Sequence, residues 1–563
     1  RDGTYNPALI QVLEQGGIFP NFTYRAPGPY WFDRVGTKAW RASISYVTGA
    51  HNMKFGYSDG DLASSKNRFP QQADGIIAYR FNNGVPNQLT LAAPFTSNFI
   101  LRPLALYAQD SWTIDRLTIQ GGLRFDWAKV HFTGDDNFAE FPQIGPNAII
   151  PVPLVFTGEE TKGVNFKDLN PRVAVAYDLF GNGKTAIKGS FGRYVQAIWG
   201  DGYPLDMNPV NRHLATTAAE FFGTTRAWND ANRNFVPECD MRNPAANGEC
   251  GPFAEQHFGT KRFSNNFDPE VVRGWGQRPY EWDLSASIQQ QIIERVAVSV
   301  TWHRRALGNL LATDNRLVEA SDFDSFSVAV EDSRLPDGRS RVDGLYNVSA
   351  AKFGLIDNYI TRASKFGDQT DRWSGVDTLL TARLNRLTLQ GGTSTGRRLT
   401  DSCEVRAKLP ESAPLNPYCR LLDPFQTQVK GFASYEIPRI EVQVGGTLQS
   451  LPGTALAATF NASNAIVAPS LGRPLSGNAA NVAVPLIASN VMYGDRLNQI
   501  DLRFAKVLRF GRSRTQVAVD LYNAMNASPV LSYNTTFVQG GQWLTPTSIL
   551  SARLVRITAQ WDF

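Results

Sequence analysis

Three short stretches of this 563-residue chain carry the spacing of known chemistry. Gly392-Thr393-Ser394-Thr395-Gly396 has the spacing of a nucleophile elbow, in which a strained turn between strand and helix lifts a serine hydroxyl toward substrate. That chemistry needs a helix after the serine. Arg397-Arg398-Leu399-Thr400 has no apolar helical period, so the segment reads as the end of a strand over 386–394. Gly181-Asn182-Gly183-Lys184-Thr185 matches the end of a phosphate loop, but the earlier glycine would fall at Asp178 and strand residues follow. It reads as a hairpin turn. Asp230, Asn232 and Asn234, with Glu238 and Asp240 nearby, offer oxygen atoms at alternate positions, as calcium loops do. A full loop of that kind wants Gly at 235 and Glu at 241, where Phe235 and Met241 stand. A polar surface turn is therefore the favoured reading, and calcium in an outer loop the alternative. The histidines (51, 131, 213, 257, 303) are scattered without metal spacing. No catalytic or cofactor residue is assigned, and the chain is not read as an enzyme.

The four cysteines form two local pairs, Cys239/Cys250 and Cys403/Cys419, both in polar, loop-like stretches. Local pairs fit disulfides in an oxidising compartment; four free thiols is the alternative. The formal charge of +5 is scattered, with no dense basic patch interleaved with aromatics, so nucleic acid is not an expected partner. Mean hydropathy is -0.26, and no run of about 18 apolar residues occurs, which excludes an ordinary membrane helix. It does not exclude strands that cross a membrane, whose residues alternate and average out.

Alternation is the main signal. Over Arg116–Trp127 the odd positions (Leu117, Ile119, Gly121, Leu123, Phe125, Trp127) are apolar or small, and the even ones polar or glycine. The same pattern recurs in 281–292, 296–303, 440–448, 499–505 and 516–521. These strands are long for a sandwich and match the roughly 9–11 residues that cross a bilayer at a tilt. Their polar face holds charges that a packed core would not accept but a water-filled lumen would. Tight connections join strands in pairs at 114–116, 181–183, 293–295, 384–386, 437–439 and 510–512. Long irregular stretches separate the pairs, at about 129–169, 197–280, 305–373, 398–424, 453–495 and 524–553. Short turns on one side and long loops on the other predict an all-β, antiparallel transmembrane β-barrel.

About seventeen strands are expected, near 40–48, 52–58, 76–82, 87–93, 103–113, 116–127, 170–179, 184–195, 281–292, 295–304, 374–384, 386–396, 425–436, 440–449, 496–507, 513–523 and 554–563, with room for a further pair in 305–373. The number is odd, whereas single-chain bacterial barrels have even numbers. The expectation is that at least one strand is missing before the strand at 40–48, with 1–39 an outer loop of a barrel whose first strands are missing and 40–563 its C-terminal part. In the last strand Val555, Ile557, Ala559, Trp561 and Phe563 form the apolar face. A terminal amphipathic strand ending on an aromatic resembles the signal by which outer-membrane barrels are recognised for insertion, with Val555, Ile557, Trp561 and Phe563 as its residues. Trp127, Trp282, Trp302, Trp561 and Phe563 fall at strand ends, as an interfacial girdle would. Trp199, Tyr203, Trp228, Trp275 and Trp543 lie in loops, as ligand contacts or as loop packing.

Several segments together resemble TonB-dependent receptors: Asp520-Leu521-Tyr522-Asn523-Ala524-Met525-Asn526; Ala108-Gln109-Asp110-Ser111-Trp112 followed by 115–126; and 170–177 followed by 184–194. The closest subgroup carries a carboxypeptidase-regulatory-like domain before the plug. The resemblance implies a 22-stranded barrel filled by a plug domain and a TonB box coupled to inner-membrane energy; neither plug nor box lies in this sequence. It implies uptake of a bulky, scarce nutrient across the bacterial outer membrane. The partners implied are outer-membrane lipid, the barrel assembly machinery, the TonB complex acting through the plug, and an extracellular ligand that no residue identifies. A passive porin or surface-binding barrel is the alternative, and a secreted β-rich enzyme or glycan-binding module a third reading that the loop segregation disfavours.

Overall fold

The computed structural model describes residues 10–26, 30–69, 77–132, 143–147, 149–198, 203–216, 221–510 and 513–562. Fifteen long strands run up and down in sequence order: β1 (Tyr30–Thr48), β2 (His51–Phe69), β3 (Phe95–Ile114), β4 (Leu117–His131), β5 (Lys162–Asp178), β6 (Thr185–Val195), β7 (Tyr280–Ile293), β8 (Val296–Gly308), β9 (Thr370–Leu384), β10 (Leu387–Asp401), β11 (Gln426–Ile437), β12 (Val442–Leu451), β13 (Leu497–Phe510), β14 (Ser513–Tyr522) and β15 (Leu554–Asp562). Each pairs antiparallel with the next. Four short strands extend the sheet at its loop end. Among the described residues no ladder joins β1 to β15. The fold is an antiparallel β-barrel wall.

Connections alternate strictly between short and long. Short links follow β1, β3, β5, β7, β9, β11 and β13; long loops follow β2, β4, β6, β8, β10, β12 and β14. A reversal of two residues needs backbone in the left-handed region. Asp115 (φ 49°), Arg295 (φ 64°) and Asn385 (φ 42°) supply it. The longer link after β5 uses Gly181 (φ 72°) and Gly183 (φ 70°), whose N–H groups donate to the two carboxylate oxygens of Asp178. Those donors are the ones a phosphate loop would offer, and here a carboxylate already occupies them. The turn at Gly511-Arg512 lies outside the described residues.

Register fixes the two faces. Leu106, Leu123, Val173, Ile288, Val300, Val376, Phe504 and Val519 are all exposed and lie on one face of their strands, which is the lipid-facing surface. Positions one residue away carry Arg, Asp, Gln, Ser and Thr and line the lumen. Trp127, Trp302 and Trp561 are exposed on the apolar face; Trp282 stacks on Phe191 with ring centroids 4.6 Å apart. Val555, Ile557 and Trp561 share the outward face of β15, exposed at 56%, 72% and 67%. Phe563, expected with them, lies outside the described residues.

Two expectations are corrected. The strands expected at 76–82 and 87–93 do not cross the membrane. Residues Ile77–Asn82 and Val85–Ala93 form a hairpin within a separate five-stranded sheet with Val12–Glu14, Phe22–Tyr24 and Phe222–Ala227. Their alternation serves a loop core built on Tyr79, Phe81, Leu89 and Leu91, and a period of two does not distinguish that from a lipid-facing wall. Among the described residues the wall therefore has fifteen long strands rather than seventeen. The strand expected at 40–48 begins at Tyr30, so the boundary placed between residues 39 and 40 falls inside β1. Extra strands do occur between 305 and 373, but outside the wall: Phe323–Glu331 pairs with Arg339–Val348, and Leu311–Asn315 and Asn358–Arg362 form a small sheet with Asn265–Phe267.

Among the described residues the long loops form five small sheets with their own apolar clusters. One cluster joins Phe326, Leu345, Val467, Val484, Phe537 and Trp543 from three different loops. Another seats Phe99, Val130 and Phe166 from the outer ends of β3, β4 and β5 against Tyr203, Val271 and Val272. Loops and wall are thereby packed as one body at that end.

Candidate functional site in the lumen

No enzyme-like centre forms from the sequence candidates. Ser394 lies in the middle of β10, paired with Asp377 and Gln428, and the strand continues to Asp401 instead of turning. The oxygens of the calcium candidate are engaged within their own loop. Asp230 accepts from the N–H groups of Asn234 and Phe235, Asn232 from Asn234, Asn234 from Val236, and Asp240 from Arg242. This is how Asx side chains build turns. Among the described residues no group of three or more His, Cys, Asp or Glu is placed to hold a metal ion. Cys239 and Cys250 are at bonding distance with Cα atoms 5.9 Å apart, and Cys403 and Cys419 likewise at 4.8 Å.

The loop aromatics divide by burial. Tyr203, Trp228 and Trp543 are packed inside loop clusters, and burial pushes the Tyr203 hydroxyl up to about 12. Trp275 is exposed, against Phe125 on the outer surface of the wall. Trp199 lies outside the described residues. His213, also in a loop, is 1% exposed and held down to about 4 by burial. Its Nδ1 accepts the Ala215 N–H and its Nε2 faces the Thr260 carbonyl at 2.6 Å, which fits the neutral ring.

What the fold assembles is a polar lumen wall. Ion pairs cross it between neighbouring strands, Arg305 to Asp283 at 3.0 Å and Asp520 shared by Arg503 (2.9 Å) and Arg556 (3.0 Å), and His303 Nε2 lies 3.2 Å from the Asp377 carboxylate. Between β1 and β5 the balance turns basic. A concavity of about 620 Å³ is lined there by Arg41, Lys54, Tyr107, Gln109, Arg124 and Arg172, among others, and no carboxylate lines it. Register explains the convergence. Lys54, Gln109, Gly122 and Arg172 lie on one cross-strand row, and Gly56, Tyr107, Arg124 and Asn170 on the next. A Cβ at Gly56 would meet the Tyr107 ring at 2.0 Å, so glycine there lets the tyrosine lie flat across β2. Arg172 stacks on Tyr194 at 4.3 Å, and Arg124 is held by Asp126 at 2.9 Å. Sequence reasoning identified the polar face but not this cluster, because its members are up to 131 residues apart (41 to 172) and only register brings them together.

The sequence matches the outer membrane beta barrel domain family over residues 5–305. The chain belongs to that family. Its place is accordingly the bacterial outer membrane, with short turns toward the periplasm and long loops outside. The sequence matches no curated protein. The outer membrane transporter YddB from Escherichia coli is similar in structure, with a TM-score of 0.51 at 10% identity, covering 98% of this chain and 57% of that one. FpvA of Pseudomonas aeruginosa, solved with heterologous ferric pyoverdines, aligns at TM-score 0.46 and 11% identity over 95% of this chain and 49% of that one. The ferric yersiniabactin uptake receptor FyuA from Yersinia pestis aligns at 0.43 and 10% over 96% and 57%. The chain thus spans about half the length of the solved structures it matches, and at these identities the likeness is one of fold.

Proposed function

We propose that this barrel belongs to a TonB-dependent transporter that takes up a bulky, scarce nutrient through a plugged lumen. The observation that carries the reading is the lumen wall itself, a wide polar surface capped by folded outer loops. The resemblance of the 108–126, 170–194 and 520–526 segments to TonB-dependent receptors, and the fold shared with a named outer membrane transporter, support it. Arg41, Lys54, Arg124 and Arg172 give one sector of the lumen a positive field, which favours a ligand with anionic groups. The alternative is a passive porin or surface-binding barrel.

The test has two readouts on the full-length gene product. Reconstituted in a planar bilayer with KCl, a plugged receptor stays closed, whereas a porin conducts steadily. Formaldehyde cross-linking in intact cells should trap a receptor–TonB complex. Steady conductance together with no TonB cross-link would sink the transporter reading in favour of the porin.

A further inference from the structure

The outward face of β3, β4 and β5 is ordered in rows. Ala42, Tyr57, Leu106, Phe125 and Leu169 form one apolar row. Toward the outer end the next row is Leu104, Trp127, Lys167 and Trp275, and beyond it Arg102, Lys129, Asn165 and Arg273. The alternate residues Leu101, Val130, Val164 and Phe166 are buried under the loops, so the basic side chains stand on the membrane side. Arg102 and Lys129 are exposed, and Lys167 lies over both Trp127 (5.8 Å) and Trp275 (5.9 Å). Arg102 pairs with Asp61 at 3.1 Å, and Arg273 is 3.6 Å from Glu159. Among the described residues Lys129 and Lys167 have no carboxylate at ion-pair distance.

Below these rows the wall is indented. An apolar depression of about 640 Å³ is lined by Ala42, Ile44, Phe55, Leu106, Leu123 and Phe125, among others. Small Ala42 and Ala108 stand among large neighbours and leave room. Rows on one face are about 6.6 Å apart, so the Lys129 row stands about 13 Å above Phe125. A depression for a hydrocarbon chain, an aromatic row and then a row of cations is the profile of one lipid molecule from tail to charged headgroup.

We propose that this sector is a specific docking site for a phosphate-bearing lipid of the outer leaflet. Lys129 and Lys167 hold its phosphate, Arg102 and Arg273 flank it, and one acyl chain fills the depression. Charge complementarity selects the occupant, because two cations that have no carboxylate at ion-pair distance among the described residues stand at the height of the headgroups, where a lipid phosphate supplies the missing anion.

Native mass spectrometry of the full-length gene product in detergent, with bis-phosphorylated lipid A as probe, tests this. A retained lipid A adduct is expected. K129A/K167A should weaken it about 25-fold, at about fivefold per lysine, which is ~1 kcal/mol each. A42W, which fills the depression and leaves every cation in place, should weaken it as well. Arg304 and Arg397 flank Ser374 on the outward face of another sector, and R304A/R397A should leave the adduct unchanged. The proposal is overturned if K129A/K167A retains the adduct, if dephosphorylated lipid A binds equally, if R304A/R397A weakens it as much, or if inorganic phosphate displaces it.

Discussion

Placing one charge on adjacent residues of β8 separates the two faces of the wall. Val300 is exposed on the lipid-facing side between Ile288 and Thr378, well inside its strand. Val300→Arg puts a guanidinium near the bilayer midplane, at a cost of about 2–4 kcal/mol. Thr301 points the other way, into the lumen, directly opposite Asp377, whose carboxylate lies 3.2 Å from His303 Nε2. Thr301→Arg loses the 3.0 Å hydrogen bond from Thr301 to Ser287, worth about 1 kcal/mol, and gains an ion pair worth about 0–1 kcal/mol. The two variants should therefore differ by about 2–3 kcal/mol although they add the same side chain one residue apart. Equilibrium urea unfolding from lipid vesicles, followed by tryptophan fluorescence, measures this. Equal destabilisation, or a greater loss for Thr301→Arg, would refute the assignment of faces and the register behind it.

Two further outcomes concern the loops. His213 is neutral when folded, with a value near 4 against 6.5 unfolded, so its contribution is fully present above about pH 6.5 and is lost progressively as pH falls toward 4. The span corresponds to about 3 kcal/mol, and protonation also removes the acceptor at Nδ1 for the Ala215 N–H. Limited proteolysis of the 196–279 loop should accelerate across that window in the native protein and show a flatter pH response in His213→Gln. The cysteine pairs close loops with separations of 11 and 16 residues, each worth about 3 kcal/mol in the chain-entropy account. Alkylation of the unreduced, denatured protein should label no thiol, and C403S/C419S should shorten the proteolytic lifetime of the 402–425 loop with the wall left intact.

Strand parity, turn chemistry and the segregation of short and long connections are properties of neighbouring residues, and the sequence by itself determined them. Arg116–Trp127 alternates because one face meets lipid and the other water, and that demand is written residue by residue. Asp115, Arg295 and Asn385 stand in the tight turns that their sequence context had marked. Alternation does not state what it faces. The hairpin at 77–93 has the wall's period but packs Tyr79 and Leu91 into loop cores, and only tertiary structure separates the cases. In sequence the loops look irregular because their strands are short and their clusters draw single residues from distant segments, as Phe326, Val484 and Trp543 do. The same holds for the Arg41, Lys54, Arg124 and Arg172 cluster and for the Lys129 and Lys167 rows. Each of these side chains has an ordinary local context, and cross-strand register, which depends on every turn length between them, decided which ones meet.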